Sequence, residues 1–235
     1  MKIYWILLIS IFITFSAIGQ KTTHDSGFTN KAQAKNTYKH KLKAGYWIEN
    51  IDVKGNVTNN NNAVYYRLTI YKKGIPVGMQ RYYYKNNKLA AIMPYVNGKK
   101  NGFGKLYYES GKLLKEIPYT DSLINGVAKT YYENDSIESE IPYTDGKKNG
   151  VGKLYYESGK LESETFYTND LKNGVVKVYY ESGTIMSEIP CINDKRNGVD
   201  KEYYENGKLK SETPYKEDIL YGTVKNYDEN GNEIK

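Results

Sequence analysis

Five glutamates recur at a constant spacing and are the most regular set of side chains that could do chemistry. They are Glu116, Glu140, Glu164, Glu188 and Glu212. A glycoside hydrolase uses a pair of carboxylates that are at most about 9.5 Å apart. Neighbouring glutamates that lie two β-strands apart would be separated by about 9.6 Å. Each glutamate is also expected to face a lysine, so the column predicts structural ion pairs and not an enzyme.

Other residue types that catalysis needs are scarce. The two histidines, His24 and His40, precede the repeated region, so neither a Ser/His/Asp triad nor a histidine metal site is expected within it. No Gly-rich loop that ends in Lys-Ser or Lys-Thr is present to hold phosphate. The single cysteine, Cys191, stands where other units have tyrosine, and a disulfide between two chains is the alternative to a simple replacement. We expect no cofactor and no metal.

Tyrosines form two further columns with the same spacing. The second tyrosine of each Tyr-Tyr pair, from Tyr108 to Tyr204, is expected to pack along the sheet. The first is predicted to form a binding strip on the opposite face, because tyrosine is enriched in interface hot spots. This tyrosine strip consists of Tyr107, Tyr131, Tyr155, Tyr179, Tyr203 and Tyr227. A protein partner is expected there, with polysaccharide as the alternative.

An evenly spaced series of glycines defines the repeat that must position these columns. The predicted structural glycines are Gly78, Gly102, Gly126, Gly150, Gly174, Gly198 and Gly222. Six 24-residue units and a truncated seventh therefore occupy residues 78–235, and units of this kind stack on their neighbours. Residues 45–77 are interpreted as a degenerate capping unit, in which Trp47 and Ile48 could cover the end of the stack.

Each unit contains two runs of strand character around a tight turn, for which we predict a two-residue β-hairpin loop such as Ser110-Gly111. That register places Lys105 opposite Glu116. The better-packed face is expected to carry Leu106, Tyr108, Leu113, Ile117 and Tyr119, and the other face Phe103, Lys105, Tyr107, Leu114, Glu116 and Pro118. The proline is expected to end the pairing of its strand. The predicted fold is an all-β, elongated, single-layer antiparallel meander of hairpin repeats.

Composition and charge agree with a thin sheet. Mean hydropathy is −0.71 and 39% of residues are hydrophobic, so a thick core is not expected. The net charge of +7 belongs to the N-terminal part, since residues 20–77 carry ten Lys/Arg and three Asp/Glu, whereas residues 78–235 carry 23 and 24. Nucleic acid is therefore not an expected partner of the repeats.

The N-terminus has the pattern of an export signal. Residues 1–19 combine Lys2, an apolar run and small residues at Ala17 and Gly19, which predicts a signal peptide, with an uncleaved membrane anchor as the alternative. Residues 20–44 are basic and polar and are predicted to be a disordered leader, either a solvated tether or a contact to anionic lipid or glycan. Membrane contact is expected only through these two segments. The predicted location is the periplasm, the cell surface or the extracellular space.

The motif G-x-G-K-L-Y-Y-E-S-G-K-L, with Asn-Gly at the unit boundary, resembles the MORN repeat and more closely the MORN-variant repeat of the bacterial YwqK-like antitoxin family. The likeness covers about residues 64–235. The second glycine of the motif is kept at Gly104 and Gly152 and replaced at Ala128, Val176, Asp200 and Val224. The resemblance implies an open meander of β-hairpins that acts as an interaction scaffold without catalysis.

Taken with the signal pattern, this resemblance predicts a non-catalytic exported scaffold that mediates protein–protein interaction in the bacterial cell envelope. An antitoxin or immunity-like protein that neutralises a partner toxin is one alternative, which the resemblance to antitoxins implies. A cell-wall or polysaccharide-binding module is the other.

Overall fold

The computed structural model describes residues 27–234, so the predicted signal peptide, the first part of the leader and Lys235 lie outside the described residues. The described elements are one 3-10 turn, Lys31–Gln33, and 23 β-strands. In chain order the strands are β1 (Thr37–Lys39), β2 (Leu42–Ile51), β3 (Tyr65–Lys72), β4 (Ile75–Tyr84), β5 (Leu89–Val96), β6 (Lys99–Lys100), β7 (Gly102–Tyr107), β8 (Leu113–Thr120), β9 (Leu123–Ile124), β10 (Gly126–Tyr131), β11 (Ile137–Thr144), β12 (Lys147–Lys148), β13 (Gly150–Tyr155), β14 (Leu161–Thr168), β15 (Leu171–Lys172), β16 (Gly174–Tyr179), β17 (Ile185–Ile192), β18 (Lys195–Arg196), β19 (Gly198–Tyr203), β20 (Leu209–Lys216), β21 (Ile219–Leu220), β22 (Lys225–Tyr227) and β23 (Glu233–Ile234).

The long strands, taken in chain order, pair antiparallel with one another, which confirms the predicted single-layer meander. Each two-residue strand and the strand that follows it both pair with the same long strand of the preceding unit. For example, β8 pairs with both β9 and β10, which only Asn125 separates. Every unit therefore adds two rows to one open sheet and contacts only the units beside it.

The hairpin inside each unit differs from the prediction, yet its register is as predicted. The Gly111 N–H donates to the carbonyl of Tyr108, and the Tyr108 N–H donates to the carbonyl of Lys112. The loop therefore has three residues and not two, because a two-residue type I′ turn needs positive φ at both positions and only Gly111 has it. A β-bulge in the pairing of β7 with β8 then restores the register, so that Lys105 faces Glu116.

Two-residue turns occur between the units instead. Asp121 and Ser122 have φ values of 49° and 73° and connect β8 to β9. Both central residues of a type I′ turn adopt this conformation. The equivalent pairs are Lys73-Gly74, Asn97-Gly98, Asp145-Gly146, Asn169-Asp170, Asn193-Asp194 and Glu217-Asp218.

Strand pairing assigns the two faces of the sheet. Face A is defined by Leu106, Ile117 and Tyr119 and their equivalents, and face B by Phe103, Lys105 and Glu116 and theirs. The bulge skips Leu114 and places Leu113 opposite Tyr107, so the prediction that Leu113 shares the face of Leu106 was wrong.

The proline of each unit does not end the pairing, contrary to the prediction. Pro118 lies opposite Phe103, and β8 continues to Thr120, where it pairs with β9. The Pro118 carbonyl accepts a hydrogen bond of 3.0 Å from the Asn125 N–H. Proline lacks the backbone N–H donor but keeps its carbonyl, so this carbonyl can still accept a hydrogen bond from the next row of the sheet.

Ordered structure begins earlier than the sequence predicts. Residues 27–44, which the sequence places in the leader, contain the 3-10 turn, β1 and the start of β2. Tyr38 on β1 packs edge-on against Trp47, with 4.9 Å between ring centroids, and Trp47 is buried. These contacts order a segment whose average composition is polar.

The first unit is longer than the others but starts at an equivalent glycine. Gly45 pairs with Tyr71 as Gly102 pairs with Tyr119, and it also has a positive φ of 70°. Gly45 lies further from Gly78 than one repeat period, because the loop of residues 52–64 joins β2 to β3 in place of a three-residue loop.

The most completely buried cluster lies at this N-terminal end. Phe28, which is 5% exposed, packs with Leu68 and Tyr83, and Leu68 is fully buried. Leu68 takes the place in its unit that Glu116 takes in a later one, so this core lies on face B. Residues 27–34 therefore form a second layer over the start of face B.

The predicted structural glycines lie at the boundaries between units and are called boundary glycines below. Both their backbone conformation and a close contact favour glycine. From Gly102 to Gly222 their φ values lie between +103° and +135°, a region that side chains rarely adopt. A Cβ atom on Gly198 would lie 2.9 Å from Pro190 Cβ of the preceding unit. The proline of one unit thus packs on the glycine that begins the next.

We expect Gly198→Ala to destabilise the array by about 1–3 kcal/mol through its backbone and by about 1–3 kcal/mol more through overpacking against Pro190. Chemical denaturation measures the change. Gly231→Ala is the matched control, because Gly231 also has positive φ (+89°) but has nothing within 4 Å of the added Cβ. Equal losses in the two variants would contradict the packing role of Pro190.

Candidate functional site

The predicted tyrosine strip lies on face B and is tied to the glutamate column. Four of its six hydroxyls donate to the glutamate of the preceding unit. The pairs are Tyr155–Glu140 (3.0 Å), Tyr179–Glu164 (3.2 Å), Tyr203–Glu188 (3.0 Å) and Tyr227–Glu212 (3.2 Å). These four hydroxyls are thus held in place, and the half-buried rings form an edge of face B.

The same glutamates accept the predicted lysine contacts. The five ion pairs are Lys105–Glu116 (3.0 Å), Lys129–Glu140 (2.7 Å), Lys153–Glu164 (3.5 Å), Lys177–Glu188 (3.8 Å) and Lys201–Glu212 (3.9 Å). The hydrogen bond from Lys129 lowers the pKa of Glu140, so this carboxyl is an anion at neutral pH and not a poised proton donor. Each row therefore carries a neutral, cross-strand Lys–Glu pair, and in four of the five rows the glutamate also accepts a tyrosine hydroxyl.

An exposed apolar column runs beside these rows, and sequence reasoning missed it. Its members follow the boundary glycines and are each 40–44% exposed. This apolar column consists of Phe103, Val127, Val151, Val175 and Val199. The column could have been predicted from the sequence, because an apolar residue follows each of these boundary glycines on an otherwise charged face. Between two rows it lines a shallow groove of about 180 Å³ with Lys129, Glu140, Pro142 and Lys153.

The N-terminal segment already covers the start of face B. Tyr83 precedes Tyr107 by one repeat and is buried under Phe28, whose ring stacks on Tyr46 at 4.6 Å between centroids. Lys31 donates a 2.9 Å hydrogen bond to Asn87 and lies over the ring of Tyr66. A short segment that contains the 3-10 turn therefore binds this face through one aromatic anchor and one lysine.

The second tyrosine column has a structural role, as its packing prediction implies. Each hydroxyl donates to the backbone carbonyl of the first tyrosine in the next unit. The bonds are Tyr108 to Tyr131 (2.7 Å), Tyr132 to Tyr155 (2.8 Å), Tyr156 to Tyr179 (2.6 Å), Tyr180 to Tyr203 (2.8 Å) and Tyr204 to Tyr227 (2.9 Å). These bonds fix the position of the tyrosine strip from one unit to the next.

The described residues offer little for metal or thiol chemistry. Among residues 27–234, no group of three or more His, Cys, Asp or Glu side chains is placed to hold a metal ion. Cys191 is buried, and burial raises the pKa of its thiol. Within the same part of the chain, no helix has the length and apolar character needed to cross a membrane.

Comparison with known families identifies the repeat. Six segments match a family described as the MORN repeat variant, namely residues 76–97, 101–121, 124–145, 148–169, 172–193 and 196–217. Together they cover 131 of 235 residues. No curated protein gives a significant match to the chain. Each matched segment spans one inner hairpin.

Proposed function

Because the chain belongs to the MORN repeat variant family, we propose that it is a non-catalytic scaffold that binds a protein partner along face B. Repeats of this family commonly serve as protein- or membrane-binding modules. Face B combines the tyrosine strip, the apolar column and the neutral Lys–Glu rows. Aromatic and apolar anchors beside paired charges are the composition of a protein interface.

The observation that carries this proposal is the docking of residues 27–34 on the start of face B. Phe28 buries Tyr83, the residue that corresponds to Tyr107 one repeat earlier. The later members of the tyrosine strip carry no such cover among the described residues, and the apolar column beside them is exposed. The partner is therefore expected to lie along the face that the chain's own segment occupies at its start.

The proposal predicts that acidic residues in the apolar column abolish partner capture. The wild-type chain and a Val151→Asp/Val175→Asp variant are used as bait in native extract, and bound proteins are quantified by mass spectrometry. We expect at least about tenfold weaker capture by the variant, because truncating a hot-spot contact costs about 2 kcal/mol or more.

Leu154→Asp/Leu220→Asp is the matched control. Leu154 lies on face A in β13, the strand that also carries Val151, with similar exposure, and Leu220 is 52% exposed and lies opposite Tyr215 on the same face A. Full capture by this control would support the proposal. Equal loss in both double variants would contradict a role specific to face B.

We also propose that the scaffold is exported and acts in the bacterial cell envelope, on the basis of the signal pattern in residues 1–19. Cell fractionation with N-terminal sequencing tests this, and uncleaved protein in the cytosol would refute it.

The partner's identity distinguishes the narrower alternatives. A captured toxin that the chain inhibits would establish an antitoxin, whereas retention on purified wall polymer with no captured protein would make face B a polysaccharide site.

A further inference from the structure

Charge is strongly segregated along the described sheet. Residues 53–108 contain ten Lys and Arg and no Asp or Glu, whereas residues 109–234 contain 16 basic and 24 acidic residues. Residues 53–108, from the long loop of the first unit through β7, are therefore the basic end of the array. An anionic ligand is attracted to that end and repelled by the other.

A cleft lies in this basic region, on face A. It has a volume of about 420 Å³ and forms where the loop of residues 52–64 folds beside the first repeats. Tyr65, Tyr82 and Tyr95 contribute aromatic walls, and Met93 and Leu106 contribute aliphatic ones. Later units have three-residue loops at the equivalent place, so the sheet forms this cleft at its basic end. Its volume and apolar lining are typical of a specific ligand site.

The charges in the cleft favour an anion. Its two charged lining residues are Asp52 and Lys100. The loop itself uses the Asp52 carboxylate, which accepts hydrogen bonds of 2.9 Å from the backbone N–H groups of Lys54 and Asn56. Lys100 lies 5.0 Å over the ring of Tyr119, and no carboxylate of the described chain pairs with its ammonium group. The cleft thus combines apolar walls with one cation that can bind an incoming carboxylate.

We propose that this cleft binds an acidic peptide segment that carries a large apolar side chain. The apolar side chain enters between the tyrosines and Leu106, and a neighbouring carboxylate of the peptide pairs with Lys100. The surrounding lysines and arginines attract the rest of the acidic segment. The face-A residues Met93, Tyr95 and Leu106 line this site, and Tyr107 of the tyrosine strip borders it. The proposal does not depend on the partner proposed for face B.

Two labelled polymers provide the test with the full chain. Fluorescence anisotropy measures the binding of a random copolymer of glutamate and tyrosine, and of polyglutamate of the same length. We expect the copolymer to bind at least about tenfold more tightly, because it alone can bury an aromatic side chain. Lys100→Glu and Leu106→Glu are each expected to remove this preference.

The array supplies matched controls two repeats away. Lys148 and Leu154 are the equivalents of Lys100 and Leu106, and Lys148 also lies 5.0 Å from a tyrosine ring centroid, that of Tyr167. Lys148→Glu and Leu154→Glu are expected to keep the preference, since no long loop forms a cleft there. Equal affinity for the two polymers, no binding of either, or equal loss in the control variants would overturn the proposal. Self-association in sedimentation velocity that the cleft variants abolish would also overturn it, because a second copy would then be the occupant.

Discussion

Glu49→Gln is expected to lower the free energy of unfolding by about 3–5 kcal/mol, because it removes the buried carboxylate that pairs with the half-buried Arg67. Glu49 is 7% exposed and accepts a 2.8 Å hydrogen bond from Arg67, with further bonds from Lys43 and the Tyr71 hydroxyl. Glu140→Gln is the matched control. Glu140 makes a partly exposed ion pair, whose loss should cost no more than about 1 kcal/mol.

The pH dependence separates a lost ion pair from a general packing defect. Burial alone would raise the pKa of Glu49, but hydrogen bonds from Lys43 and Arg67 outweigh burial and lower it. The stabilisation is therefore complete above the pKa of an unfolded glutamate, about 4.3, and is lost as pH falls through the lower folded value. Urea denaturation from neutral to acidic pH should show the wild-type advantage over Glu49→Gln shrinking in that range. An advantage that is constant with pH would contradict the role of the carboxylate.

Leu68→Ala is expected to destabilise the chain by about 2–5 kcal/mol, because it opens a cavity in the one well-buried core of the described residues. Leu68 is fully buried and joins Phe28 of the N-terminal segment to Tyr83 of the next row. Leu154→Ala makes the same change at a residue that is 41% exposed and is expected to cost much less. Chemical denaturation measures both.

Limited proteolysis gives a second result for the same pair of variants. If Leu68 holds residues 27–34 on face B, Leu68→Ala should expose Lys31 and Lys35 to trypsin faster than Leu154→Ala does. Equal stabilities and equal cleavage rates would show that the N-terminal segment is not anchored through this core.

Much of the fold could be predicted from the repeat period and the cross-strand charges. The constant spacing of the boundary glycines fixes the length of the unit. The placement of Lys105 opposite Glu116 fixes the register, because a shifted register would not bring these opposite charges together. The loop length and the β-bulge were not predictable, since their one-residue shifts cancel and leave that charge pattern unchanged. The start of the first unit could not be recognised from the sequence, because its long loop places Gly45 outside the period of the later glycines.

The site could be predicted only in part. Alternation placed the tyrosine strip on the Lys–Glu face, but exposure depends on what the neighbouring units cover, so Val151 was not recognised as a contact residue. The packing of Phe28 on Tyr83 joins residues that are far apart in the sequence, and no local pattern predicts such a contact. The cleft beside Lys100 depends on where the loop of residues 52–64 folds, which is also a tertiary property.

Site-specific photo-crosslinking tests the central claim, that face B binds a protein partner. Benzoylphenylalanine is placed at Val151 on face B or at Leu154 on face A, which share one strand and have similar exposure. After irradiation in native extract, we predict one discrete protein adduct from position 151 and none from position 154. Adducts from position 154 alone, or no adduct from position 151, would contradict the assignment of face B as the binding surface.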